Sequence, residues 1–215
     1  MSSHHYKGKN GEINYCQAVK NRSGSKKTSL VLVLHGKSGC GNDNKRQLTS
    51  PAVKPLLDYI RTHSENAVII VPQCPENQDW VRGGKNSPLS IVLELIKKKC
   101  SEFHIEPHQV YITGVSMGGG ACYSMMIRQP DLFSRAIVVS SGGRTEDAAR
   151  LKGDFYIVHG ENDRLIPPAK AQAMSNAIQK NPENRVQFIL LPGKDHVQAC
   201  KTAYSEECFQ WLFRK

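Results

Sequence analysis

The chain has 215 residues, 39% of them hydrophobic and 22% charged, a balance that fits one globular domain with a sizeable core. No apolar run approaches the ~20 residues needed to span a bilayer, and the polar, basic stretch from Met1 to Gly24 lacks the apolar centre of a secretory signal. The formal charge of +10, from 29 basic and 19 acidic residues, is dispersed apart from Lys26-Lys27 and Lys97-Lys98-Lys99; it reads as a solvated surface, and no nucleic-acid-binding motif accompanies it.

In chain order, a polar N-terminal segment (residues 1–24), partly flexible, precedes a single domain over 25–215. Glu12 to Val19 can add an early strand, pairing antiparallel at a sheet edge. Ser29 to His35 reads as a buried strand, and Ala67 to Pro72, Val110 to Val115, Ala136 to Ser140, Phe155 to His159 and Val186 to Leu191 continue the series. Helical patterns fall between them, over Pro51 to Thr62, Pro88 to Cys100, Met117 to Arg128 and Pro168 to Lys180. A last helix is expected from about Gln198 to Phe213. Strands alternating with helices imply an α/β fold whose mostly parallel central sheet carries helices on both faces. The connection from Ser140 to Asp154 is too short to hold a lid domain. Seven cysteines without a CxxC pair point to free thiols in a reducing, cytoplasmic setting and away from a metal cluster.

The chemistry concentrates in three places. Tyr111 to Gly120 reads Y-I-T-G-V-S-M-G-G-G, a strand running through G-x-S-x-G into a helix. That is a nucleophile elbow: Ser116 sits in a strained turn, and Gly114 and Gly118 are small because a side chain would strike a neighbouring element. Such a serine needs a base and an acid in the order Ser, acid, His. His196, in L-P-G-K-D-H-V, is the one histidine that follows a suitable acid. Asp163, in H-G-E-N-D-R-L-I-P, is that acid; Glu161 is its competitor, and Asp195 adjoins His196 too closely in sequence to face it. His35 and His159 read as structural. The oxyanion donors are the backbone N–H groups of Met117 and of Lys37 in L-H-G-K-S-G-C-G-N-D-N, with Ser38 as the second choice for the latter. Gly36, Ser38, Gln73 and Trp80 are expected to border bound substrate.

Taken together, L-H-G with G-N-D-N-K-R-Q-L, V-P-Q-C-P with Trp80, the elbow, P-D-L-F-S-R-A, H-G-E-N-D-R-L-I-P and D-H-V-Q-A resemble the α/β-hydrolase superfamily over about Leu30 to Lys215. Within it the chain is similar to esterases of the dienelactone hydrolase and phospholipase/carboxylesterase groups, and to the feruloyl-esterase-like group labelled predicted peptidases. The resemblance implies a cofactor-free, metal-free serine esterase acting on a small-molecule ester through an acyl-enzyme. Short-chain or aryl esters are the expected substrates, with acyl-thioesters or peptides as the alternatives. One departure is Lys37-Ser38-Gly39-Cys40, where small or acidic residues are the family's habit. No nucleic acid partner and no stable membrane insertion are expected.

Overall fold

The structure, a computed structural model, describes residues 1–21 and 27–214. Lys26 and the end of the N-terminal segment, residues 22–24, lie outside the described residues. Among the described residues eight strands form one sheet: β1 (Ser2–Gly8), β2 (Gly11–Lys20), β3 (Thr28–Leu34), β4 (Asn66–Pro72), β5 (Val110–Val115), β6 (Arg135–Val139), β7 (Asp154–Gly160) and β8 (Arg185–Leu191). Their order across the sheet is β1-β2-β4-β3-β5-β6-β7-β8. β1 and β2 form a hairpin, β2 pairs antiparallel with β4, and all remaining pairs are parallel.

Six α-helices among the described residues connect or cover the strands: α1 (Val53–Thr62), α2 (Pro88–Glu102), α3 (Met117–Arg128), α4 (Pro168–Ile178), α5 (His196–Thr202) and α6 (Glu206–Phe213). The period of two along the strands sorts their side chains into two cores. Leu30, Leu32 and Leu34 of β3, with Phe155 and Ile157 of β7, pack against α2, α3 and α4. Val31 and Val33, with Tyr156 and Val158, pack against α1, α5 and α6. Both faces of the central strands are therefore dry, which explains why they read as continuous apolar runs rather than alternating ones.

The expected early strand is present, but it is not an edge. β1 lies outside it, and its register runs from Ser2 opposite Gln17 to Gly8 opposite Gly11. The C-terminal helix expected from Gln198 to Phe213 is two helices. Asp195 caps α5 through a reciprocal pair with Gln198, and Ser205 opens α6 by accepting a hydrogen bond from the Cys208 N–H. Between β6 and β7 the chain makes only a short 3-10 turn, Thr145–Arg150. Among the described residues no helix is long and apolar enough to cross a membrane.

Candidate active site

The strand order reverses around β3, which has β4 on one side and β5 on the other. In open α/β sheets the crevice outside the carboxyl ends of strands at such a reversal is where ligands bind. Leu34 at the end of β3 lies opposite Gly114 in β5, so the loops that follow these strands meet there.

Ser116 stands between β5 and α3 with φ 53° and ψ −119°, a conformation that costs a non-glycine residue strain and persists only where the surroundings impose it. They do so closely. A Cβ on Gly114 would lie 2.4 Å from the Gly118 carbonyl oxygen, and one on Gly118 would lie 2.2 Å from that of Leu34. The Ser116 N–H is held by the Val139 carbonyl at 2.9 Å. The serine is thus lifted half-exposed at the start of α3, whose first N–H groups carry the positive end of the helix dipole. The backbone N–H groups of Met117 and Lys37 donate to no backbone or side-chain acceptor among the described residues.

The sequence around β7 and β8 brings a carboxylate to an imidazole. Glu161 N–H bonds the Leu191 carbonyl, and Asn162 N–H bonds the Lys194 carbonyl at 2.9 Å, so the loops after the two strands are stitched together. Asp163, fully buried at its side chain, receives His196 Nδ1 at Oδ2, 2.7 Å away. Its Oδ1 accepts the Leu165 and Ile166 N–H groups at 3.0 and 2.9 Å. Because the carboxylate only accepts, the proton of a neutral His196 lies on Nδ1, which leaves Nε2 as the basic nitrogen. The two competitors are occupied elsewhere. Glu161 accepts the Gly193 N–H through its side chain, and Asp195 is the cap of α5. No hydrogen bond joins Ser116 Oγ to His196 among the described residues; such contacts are commonly long without substrate and tighten when it binds.

The loop after β3 is braced rather than loose. His35, 1% exposed, donates from Nδ1 to the Gly36 carbonyl at 2.6 Å and accepts the Cys74 N–H at Nε2 at 3.0 Å. Burial lowers its pKa to about 4. Trp80 tilts against the His35 ring and donates from Nε1 to the His35 carbonyl. Gln73 is buried and spends its amide inside the loop: Oε1 accepts the Asn44 N–H, and Nε2 donates to Asp43 Oδ1 at 2.7 Å. That bond, with the Arg46 and Lys45 N–H groups, pulls the exposed Asp43 carboxyl down to about 2.

A cavity of about 560 Å³ opens beside Ser116. Met117, Gly120, Ala121, Ser124 and Ile127 line one wall, a single face of α3 at helical spacing. Trp80, Ile166, Met174 and Lys170 contribute to the others, and Arg144 and Asp147 come from the β6–β7 connection. Of the residues expected at substrate, Trp80 borders this space, but its side chain is 1% exposed and belongs to the core. Gly36 packs against Ser116, where an added Cβ would sit 3.5 Å from the serine Cβ. Ser38 is exposed, and Gln73 is a brace outside the cavity. The α3 wall was not among the residues expected at substrate, although the helical period following the elbow carries the signal for it. Arg144, Lys170 and Met174 enter through loop and helix packing, for which the sequence carries no local signal. Among the described residues no group of three or more His, Cys, Asp or Glu side chains is arranged to hold a metal ion.

Residues 84–208, more than half of the chain, match the profile of the dienelactone hydrolase family. The chain belongs to the dienelactone hydrolase family. The family match contains Ser116, Asp163 and His196 and stops short of β3 and the loop after it. This family member is 26% identical over 161 residues to a protein of Aspergillus terreus described as probable feruloyl esterase C, a match covering 73% of this chain and 57% of that protein. It is 22% identical over 175 residues to the protein of the same description in Aspergillus flavus, covering 80% and 63%. The chain spans about half to three fifths of the length of the curated relatives it matches. Among solved structures it is similar to a thermostable esterase (TM-score 0.85, 27% identity, 99% of this chain and 62% of that one). It is also similar to Est1E from Butyrivibrio proteoclasticus (TM-score 0.72, 12% identity, 99% and 98%). The eight-stranded sheet with its flanking helices is the α/β-hydrolase fold.

Proposed function

We propose that this dienelactone hydrolase family member is a serine carboxylic ester hydrolase working through an acyl-enzyme. The observation that carries the proposal is the buried Asp163–His196 pair at 2.7 Å, reached from the same sheet end as the strained Ser116. In this reading His196 Nε2 takes the Ser116 proton as Oγ attacks the ester carbonyl. Asp163 keeps the imidazole in the required tautomer and stabilises the imidazolium. The Met117 and Lys37 N–H groups, unspent on other acceptors, receive the oxyanion. His196 then returns the proton to the leaving alcohol, and water repeats the sequence to free the acid.

The substrate class follows from the cavity. A space of about 560 Å³ walled by Met117, Ile127, Met174 and Trp80 takes a short acyl chain or one aromatic ring. The feruloyl esterase descriptions of the fungal relatives support an aromatic acyl group. The test is kcat/KM across acetyl, butyryl, cinnamoyl-type and palmitoyl esters, with matched thioesters and anilides. Short-chain and aryl esters should lead. A preference for palmitoyl esters, or anilide cleavage within about tenfold of ester cleavage, would overturn the proposal, because an alcohol leaves far more easily than an amine.

A further inference from the structure

Asp163 serves two histidines. Besides His196, its Oδ2 lies 3.1 Å from Nε2 of His159, and both side chains of that second pair are fully buried. His159 is the penultimate residue of β7, four positions before the acid. Its Nε2 also lies 2.8 Å from the Ile166 carbonyl oxygen. Both neighbours of Nε2 are pure acceptors, so the ring proton must sit on Nε2 and is shared between them. The other nitrogen, Nδ1, is buried without a partner, and a proton placed there would have nothing to donate to.

The carboxylate is therefore surrounded by donors: Leu165 and Ile166 N–H on Oδ1, His196 and His159 on Oδ2. We infer that His159 is a positioning residue, which fixes the Asp163 oxygen facing His196 and moderates the pull of that oxygen on the His196 imidazolium. The inference rests on the proposed roles of Asp163 and His196. Every hydrogen bond donated to a carboxylate oxygen withdraws electron density from it and weakens what it offers the next donor. A neutral donor on Oδ2 leaves the pair's net charge unchanged yet makes Asp163 a weaker stabiliser of protonated His196. The same N–H ties the Ile166 carbonyl, whose residue borders the cavity beside Ser116. One buried ring thus sets the acid's orientation and anchors a cavity wall.

The other titratable groups on the elements packed around β7 are Cys200 and Lys201 in α5, Asp195 just before it, Lys170 at the start of α4, Arg135 in β6, Arg185 in β8, and Glu207 and Cys208 in α6, with Glu161 and Arg164 in the acid's own loop. Cys200 is raised by burial, with Asp163 and Asp195 adding to the effect. All of them are constant across the comparison below.

The test compares wild type, His159→Gln and His159→Leu by the pH dependence of kcat/KM on an aryl acetate. Gln can place its amide N–H where Nε2 donates, whereas Leu removes the donor at similar size. His159→Leu should move the acid limb to higher pH by about half a unit, since an unshared Oδ2 holds the His196 proton more firmly; His159→Gln should stay on the wild-type limb. A limb in His159→Leu that stays in place or moves down overturns the inference, as does a shift in His159→Gln equal to that in His159→Leu. A measurement on the wild type covers the case in which Leu is not tolerated. Imidazole ¹⁵N shifts at pH 7.5 should show His159 as the Nε2–H tautomer, and an Nδ1–H tautomer overturns the inference. Wild type and His196→Ala are assayed alongside. Activity that survives His196→Ala would sink the esterase reading itself, a result distinct from an unmoved limb in a His196-dependent enzyme.

Discussion

Acidification should unlock the loop after β3 through one buried ring. His35 fits only as neutral imidazole: Nδ1–H donates to Gly36, and the bare Nε2 accepts the Cys74 N–H. Protonation would put a second N–H where the Cys74 N–H already points, and would bury a charge at a site 1% exposed. Burial accordingly lowers the folded pKa to about 4, from the ordinary 6.5. The unfolded chain binds this proton first as pH falls, so stability from the neutral ring is intact above ~6.5 and is lost between there and ~4. Two and a half units correspond to about 3 kcal/mol in full, of which about 2 kcal/mol is gone by pH 5. Urea unfolding at pH 7 and pH 5 measures it, with His35→Gln as the comparison. The glutamine carbonyl can accept the Cys74 N–H but does not titrate. The variant should start about 1 kcal/mol less stable at pH 7, yet lose about 2 kcal/mol less than wild type on going to pH 5, since the other histidines titrate alike in both. Equal losses in the two proteins would refute the argument.

Ser116→Ala should cut kcat by roughly 10⁴- to 10⁶-fold while leaving the melting temperature unchanged, because the oxygen removed lies at a half-exposed elbow and fills no core space; more than a tenth of wild-type turnover would exclude Ser116 as nucleophile. Asp163→Asn should cost roughly 10³- to 10⁴-fold in kcat by favouring the wrong imidazole tautomer. In the same assay Glu161→Gln should stay within about threefold of wild type, since its oxygen only holds the Gly193 N–H. Asp195→Ala removes a helix cap and should cost about 1 kcal/mol in urea unfolding, with a much smaller effect on kcat than Asp163→Asn. Gly118→Ala puts a methyl group 2.2 Å from the Leu34 carbonyl oxygen and should cost about 3 kcal/mol or more, read by the same unfolding experiment; a variant as stable as wild type would show that the elbow has more room than its geometry implies.

Much of the architecture was written in the strands themselves. Buried parallel strands such as Leu30 to Leu34 and Ala67 to Val71 are continuous apolar runs, which only a sheet covered on both faces accounts for. β1 was not visible in this way. Ser2 to Gly8 has no apolar alternation and becomes a strand through its ladder with β2 and contacts such as the His4 ring on Tyr15. The division of the last helix was hidden because Ala203 and Tyr204 continue the apolar pattern; Ser205 then competes for the backbone and restarts the helix. At the site, Ser116 could be read from local spacing, and Asp163 and His196 from chain order. Gln73 shows the limit of that approach, because a polar residue in a loop near the sheet end served equally well as a ligand or as a brace. His159 shows another: its meeting with Asp163 and the Ile166 carbonyl depends on how the residues after Gly160 fold back, which strand periodicity does not encode.

The central claim is that Ser116 is a nucleophile activated by His196. The most direct measurement is labelling of the intact protein with a fluorophosphonate, followed by peptide mapping of the adduct by mass spectrometry. One adduct per chain on Ser116 is expected, slowed by a competing aryl ester and lost or greatly slowed in His196→Ala. An adduct on another residue, or ester hydrolysis that continues after Ser116 is fully labelled, would contradict it.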